Sequence, residues 1–394
     1  MNKMKILKTT LFAMAVVMCG GVQAQGLKDA YKDYFSVGVA VNMGNMNNEK
    51  HIDIIKTNYN SVTAENDMKP GSVQPNEGEW NWRNADAIAN FCRENGIKLR
   101  GHCLVWHSQV GRWMFQDVDA SGNSVQAGKE KLYERMKTHI DAVVKRYSDI
   151  IYCWDVVNEA VTDDANATDP LRPSQWKTIA GGDEFIRKAF QFAREADPDA
   201  LLFYNDYNAA VPAKRDKIYN MVKEMKAAGV PIDGIGMQGH FNIYEPSIEN
   251  IEAAIVKYSE IVDHIHFTEL DIRVNRQMGG GLAIQQGEGV TDERLQMFEE
   301  KYINFFEVLR RHADVVSVVT FWNVADADSW LGADNYPLLF DDNFEPKPVY
   351  YKVRDFTPTK EEKKIAKKAK KSVARKASNA ADAKAALAQK NFNR

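Results

Sequence analysis

Between residues 36 and 324 the chain alternates short apolar, β-branched runs with longer segments whose apolar positions recur every three or four residues. The clearest run holds Ile150, Ile151 and Tyr152, then Val156 and Val157. Its apolar positions do not alternate with polar ones, which is how a parallel strand buried on both faces reads. The pattern predicts strands at 36–42, 61–66, 98–107, 150–159, 200–208, 234–240, 265–272 and 315–324. Amphipathic helices are expected between them, at 84–95, 129–147, 182–196, 213–228, 247–261 and 291–312. Eight strands separated by helices predict an α/β fold, a (β/α)8 TIM barrel. A doubly wound open sheet would need a Gly-rich phosphate turn after the first strand, and none follows it. Gly279, Gly280 and Gly281 come after the seventh strand and read as a loop. No Pro/Ser/Thr linker interrupts the alternation, so residues 25–359 are expected to be one catalytic domain.

Several of these runs turn polar or aromatic at their C-terminal ends. The strand at 150–159 closes on Asn158 and Glu159, and 110 residues later Glu269 and Asp271 close the seventh. The other ends supply Glu65, Asn66 and Lys69; His102, Trp106 and His107; Asn205 and Tyr207; Gln238 and His240; Trp322 and then Trp330. On a barrel these ends converge on one mouth, the face that carries catalysis in this architecture. Each residue alone has a plainer reading, such as a hydrogen-bonded core histidine or a packed tryptophan, and it is their joint placement that favours a site. The set has no serine nucleophile elbow and no CxxC pair. Its histidines lack the HExxH spacing, so neither a metal nor a cofactor is expected. Two carboxyls among indoles and amides suit a sugar chain. One carboxyl protonates the leaving oxygen, the other attacks or activates water, and indole faces stack on pyranose rings. Close carboxyls cannot both be charged cheaply, so one must hold its proton. Glu159, beside Val156, Val157 and Ala160, is the expected acid, and Glu269, with His240 and Arg273 nearby, the expected carboxylate.

The chain ends read differently. Lys3, Lys5 and Lys8 precede an apolar run at 11–18, and Val22-Gln23-Ala24 offers a small-residue cleavage site before Gln25. Residues 1–24 are therefore expected to be a cleaved secretory signal, with export to the periplasm or beyond. The run is too short to span a bilayer. Lipid attachment at Cys19 is the alternative, disfavoured by the bulky Met18 before it. Three cysteines remain, Cys92, Cys103 and Cys153, and an odd count in core-like segments reads as small buried hydrophobes with at most one bridge. Residues 360–394 carry nine net positive charges and almost no aromatics, and are expected to be a solvated, disordered or marginally helical tail. Residues 25–359 are left with a net charge of −15, which argues against nucleic acid as a partner.

The motifs Glu65-Asn66-Asp67-Met68-Lys69-Pro70, Gly101-His102-Cys103-Leu104-Val105-Trp106-His107-Ser108-Gln109, Trp154-Asp155-Val156-Val157-Asn158-Glu159-Ala160, Asn205-Asp206-Tyr207-Asn208, Gln238-Gly239-His240 and Thr268-Glu269-Leu270-Asp271-Ile272 resemble, in this order, family-10 glycoside hydrolases. Those are (β/α)8 endo-β-1,4-xylanases, and the likeness spans residues 27–357. The resemblance implies Glu159 as acid/base and Glu269 as nucleophile of a retaining enzyme. It implies that Asn158 bonds the sugar 2-hydroxyl, and that His240, held by Asp271, bonds the nucleophile. Glu65, Asn66, Lys69, His102, Trp106, Gln238, Trp322 and Trp330 are then expected on the non-reducing side of the cut, and Tyr207 stacked on the leaving sugar. The implied partners are xylan and xylo-oligosaccharides, with no separate carbohydrate-binding module in view. One departure stands out. The family usually reads Trp-Gly-Val-Thr-Asp after the eighth strand, and here Asn323 replaces the glycine between Trp322 and Val324. Asn323 is bulkier and lacks glycine's backbone freedom, so the placement of Trp322 depends on how it is accommodated.

Two other readings use the same residues. A β-1,4-glucanase or mannanase would keep both glutamates, but its substrate carries a C5 hydroxymethyl group that a wall of Trp322 and Trp330 would meet. A glycan-binding protein on a decayed enzyme scaffold would usually have lost one of the two carboxyls, and both are present.

Overall fold

The structure is a computed structural model that describes residues 25–276 and 290–369. The signal expected at residues 1–24, Cys19 within it, the glycines at 279–281 and residues 370–394 lie outside these. All eight expected strands form: β1 (Ser36–Val41), β2 (Ser61–Ala64), β3 (Lys98–Trp106), β4 (Ile151–Asn158), β5 (Leu201–Asp206), β6 (Gly234–Met237), β7 (His264–Arg273) and β8 (Val316–Phe321). Neighbours pair in parallel in chain order, and β8 pairs with both β7 and β1, so the sheet closes into a (β/α)8 barrel. The six expected helices lie between the strands, among them Lys129–Arg146 and Asp292–Arg311. The hydrophobic/polar pattern passes over the helix Glu49–Asn58 and a hairpin, Gln116–Val118 with Ser124–Gln126, in the loop after β3.

The missing alternation has the expected cause. Seven of the eight β4 residues are buried, half facing the barrel interior and half the helical ring. The interior is not purely aliphatic. Arg100 is fully buried and grips Asp155 (Nη1 to Oδ2, 2.6 Å), while the Ser61 and Tyr152 hydroxyls bond across the barrel floor at 2.9 Å. Outside the strands, Phe298, Phe305 and Phe306 are buried on the inner face of the long helix Asp292–Arg311. Cys92, Cys103 and Cys153 are all free and buried. Among the described residues no helix is long and apolar enough to cross a membrane.

The first ten residues of the basic stretch from Lys360 are helical, as the expectation allowed, but Glu362 among them is buried rather than solvated. Thr359 caps this helix. Its hydroxyl accepts from the Glu362 N–H at 3.1 Å, while the Glu362 carboxylate accepts from the Thr359 N–H at 2.6 Å. This reciprocal capping box is written in the sequence, but the Lys/Ala composition around it hides it. Glu362 is also buried against Arg310 at 2.7 Å, and the Arg310 guanidinium lies over the Phe356 ring. Removing one partner of a buried pair strands the other. Glu362→Ala is therefore expected to lower unfolding stability by about 3 kcal/mol, read as a fall in the urea midpoint. An unshifted midpoint would mean that this helix contributes nothing to the barrel's stability.

Candidate active site

The C-terminal strand ends enclose a cleft of about 460 Å³. It is lined by Lys69, His102, Trp106, Asn158, Glu159, Tyr207, Asn208, Gln238, His240, Glu269, Arg273, Trp322 and Trp330. Eleven of the residues singled out from sequence thus share one cavity. Glu65 and Asn66 stand outside its lining at the end of β2, and Asp271 lies beneath it, fully buried.

Strand irregularities aim the two carboxyls. The β7–β8 register shifts between Phe267 and Leu270, where Glu269 sits, and the β4–β5 register shifts between Asp155 and Val157. Such bulges re-aim side chains beside functional sites. β4 ends at Asn158, and Glu159 then takes a left-handed backbone, φ 57°. That conformation costs a non-glycine residue about 1–2 kcal/mol, and it is held from both sides. The Glu159 N–H donates to the Asn205 carbonyl at 2.9 Å, and Arg172 Nε donates to the Glu159 carbonyl at 3.0 Å.

The turn also swings the Glu159 side chain away from its apolar neighbours in sequence, correcting the expectation of an apolar pocket. Its carboxyl meets three N–H donors: Trp106 Nε1 at 2.9 Å, Gln238 Nε2 at 2.8 Å and Asn158 Nδ2 at 3.3 Å. Trp106 is fixed in turn through its carbonyl, which accepts from Trp176 Nε1 at 2.8 Å.

Glu269 is set differently. Asn205 Nδ2 donates to its Oε1 at 3.0 Å, and His240 Nε2 reaches its Oε2 at 3.2 Å. His240 Nδ1 meets Asp271 Oδ2 at 2.8 Å, and the same carboxylate oxygen accepts from Trp330 Nε1 at 2.9 Å. Burial opposes charge on Glu269. The His240 hydrogen bond and the field of His102, His240 and Lys69 outweigh it, so the carboxyl is held down at about 2. Burial likewise opposes a proton on His240, but Asp271 and Glu269 raise it well above the usual imidazole value. The arrangement is an ionised Glu269 facing an imidazolium that Asp271 holds in place.

Asn205, counted among the strand-end polar residues but given no role, joins the two halves. Its Nδ2 donates both to Asn158 Oδ1, at 2.9 Å, and to Glu269, and its Oδ1 accepts from Thr268 Oγ1 at 2.7 Å. Gly236 on β6 must be glycine for this amide to pass, because a Cβ there would lie 2.2 Å from Asn205 Oδ1. Asp155, quoted within the β4 motif but likewise given no role, is buried in mid-strand. It accepts from His102 Nδ1 at 2.8 Å and so turns the ring's other nitrogen to the cleft. Lys69 Nζ donates to Asn66 Oδ1 at 2.9 Å and lies 4.9 Å from the Trp106 ring centroid. On the β5 side, the Tyr207 hydroxyl bonds Asp163 and Arg172, and Lys214 Nζ sits 3.6 Å from its ring centroid. Lys214 therefore covers one face of that ring. No sequence signal marks Arg172, Asp163 or Lys214, which reach the site from a loop and a helix.

The glycosyl hydrolase family 10 pattern matches residues 26–356. The chain belongs to that family. This family 10 hydrolase is 53% identical over 353 residues to an endo-1,4-beta-xylanase/feruloyl esterase of Xylanibacter ruminicola. That match covers 86% of this chain but only 48% of the relative, so the chain spans about half the length of that protein. It is 41% identical to endo-1,4-beta-xylanase B of Paenibacillus barcinonensis, with 83% of this chain and 97% of the relative covered. Among solved structures, a psychrophilic family 10 endo-beta-1,4-xylanase superposes with a TM-score of 0.79 at 56% identity, covering 85% of this chain and all of that one. Family membership and the closed eight-stranded barrel agree, and the hydrolase's cleft lies where the barrel ends converge.

Proposed function

We propose that this hydrolase is an exported endo-1,4-β-xylanase that cleaves internal xylosidic bonds with retention of configuration. The observation that carries the reading is the asymmetry of its two carboxyls across one cleft. Glu269, on β7, is held ionised by His240 and Asn205. Among the described residues the carboxyl of Glu159, at the end of β4, is bonded only by the neutral donors Trp106, Gln238 and Asn158, which leaves it as the carboxyl to carry the proton. In the proposed cycle Glu159 gives a proton to the glycosidic oxygen as Glu269 attacks the anomeric carbon. Glu159 then takes a proton from water, which releases the sugar from Glu269. Asn158, whose amide already reaches Glu159, is positioned for the 2-hydroxyl. Glu65, Asn66, Lys69, His102, Trp106, Gln238, Trp322 and Trp330 take the non-reducing side, and Tyr207 the leaving side. The two relatives named for xylanase activity support the substrate. So does Trp322, whose ring is buried edge-on against His102 and His240 and would crowd a C5 hydroxymethyl group. Export rests on the lysine-flanked apolar leader at residues 1–24.

One experiment tests substrate, stereochemistry and export together. Reducing-end release from xylan and from carboxymethylcellulose is compared on medium, periplasmic and cytosolic fractions, and the first product is followed by proton NMR. The reading expects activity on xylan alone, a β-anomer as first product, and activity outside the cytosol. Equal rates on both polymers would move the chain to the glucanase reading, and an α-anomer would end the retaining mechanism.

A further inference from the structure

Asn323 follows Trp322 at the end of β8 with a left-handed backbone, φ 91°, and is fully buried. Glycine reaches that conformation without steric cost and an asparagine does not, so the side chain must contribute something to be held there. Its Nδ2 donates to Glu65 Oε2 at 3.0 Å, while its Oδ1 is buried and has no partner. A flipped amide would set that oxygen against the Glu65 carboxylate, so the bond to Glu65 fixes the orientation. Glu65 Oε2 receives a second amide, Asn42 Nδ2, also at 3.0 Å. Asn42 is itself locked, because its Oδ1 caps the short helix Met43–Met46 by accepting from the Gly44 and Asn45 N–H groups. Two rigid amides, from the ends of β1 and β8, thus hold one oxygen of a carboxylate at the end of β2. Among the described residues both bonds to that side chain land on Oε2, which leaves Oε1 for a ligand hydroxyl.

We propose that Asn323 is a positioning residue for substrate specificity: with Asn42 it aims Glu65 Oε1 at a sugar hydroxyl on the non-reducing side of the cleft. The inference rests on the xylan reading above and adds the residue that sets its glycone grip. The neighbour of Asn323 is held independently: the Trp322 N–H donates to the Leu270 carbonyl at 3.0 Å, and the Trp322 ring meets those of His102 and His240 edge-on.

The test is steady-state kinetics on xylopentaose with the full chain. Asn323→Gly keeps the backbone conformation and removes the amide. KM is expected to rise about 3–10-fold, the worth of one hydrogen bond to a charged group, with kcat within about twofold. In a Glu65→Ala background, where neither amide has an acceptor left, the same change should add almost nothing, because the two residues act through one bond. Asn323→Asp preserves side-chain size and sets a second carboxyl against Glu65. Like charges favour a shared proton at low pH and repel once both ionise. Its KM should therefore climb between about pH 5 and pH 7, a profile expected of neither the wild type nor the glycine variant. The aspartate variant decides the matter if the glycine variant does not fold. An unchanged KM in Asn323→Gly, an equal loss in the Glu65→Ala background, or a flat pH profile in Asn323→Asp would each overturn the proposal. Wild-type inactivity on xylan would instead overturn the function on which it rests.

Discussion

Glu269→Gln is expected to lower kcat on xylan by about 10⁴-fold or more, the scale on which removal of an attacking group acts, while leaving the barrel folded. The amide is isosteric: its oxygen can accept from Asn205 Nδ2, and its N–H can donate to His240 Nε2 once that imidazole is neutral, so the cleft keeps its shape. What disappears is the ionised oxygen that His240 and Asp271 hold ready. Losing about 5 kcal/mol of transition-state stabilisation corresponds to that rate. Added azide then offers an external nucleophile, and any glycosyl azide formed must have inverted configuration, because the covalent step on Glu269 is gone. Single-turnover assays with circular dichroism as the fold control settle the point. Hydrolysis within tenfold of wild type, or an azide product of retained configuration, would remove Glu269 from the attacking role.

The second large effect concerns Glu159 and depends on the leaving group. Alanine is the cleaner substitution here. A glutamine amide would turn N–H groups toward the N–H donors of Trp106 and Gln238, whereas alanine keeps the left-handed backbone with the same Cβ. Loss of general acid catalysis is expected to cost about 10²–10⁴-fold on xylan and on aryl glycosides of poor leaving ability. Dinitrophenyl xylobioside needs little protonation, so formation of its covalent intermediate should be nearly unimpaired. Its apparent KM should fall as that intermediate accumulates, since the same carboxyl is needed to activate water. A Brønsted plot of rate against leaving-group pKa reads the difference. Equal losses across the series would make Glu159 a residue that shapes the cleft without moving a proton.

Most of the cleft was legible because strand ends are a local property. Runs buried on both faces fix where strands stop, and chain order with short crossovers closes eight of them into a barrel. Whatever polar residue ends a run must then face the common mouth. Glu159, Glu269, Gln238 and Trp322 could all be named on that ground. Glu65 and Asn66 end a strand too, yet stand outside the lining of the cavity around the two carboxyls, while Lys69, further along the same loop, reaches it. The Thr359–Glu362 capping box shows the opposite failure: a local signal was present and a stronger compositional one hid it.

The sequence by itself determined the eight-stranded alternation, the two carboxyls at strand ends and the acidic body. Those depend on residue type and on periods of a few residues. Only the tertiary structure decided what each carboxyl touches. Asn205 meets Asn158 and Glu269 across 47 and 64 residues of chain, and Asn323 meets Glu65 across 258. Such pairings follow from sheet register and bulge position, and a shift of one residue would replace every partner. The left-handed turn at Glu159 likewise put amide and indole donors around a carboxyl whose sequence neighbours are apolar, because backbone conformation, rather than adjacency in the chain, sets which way a side chain points.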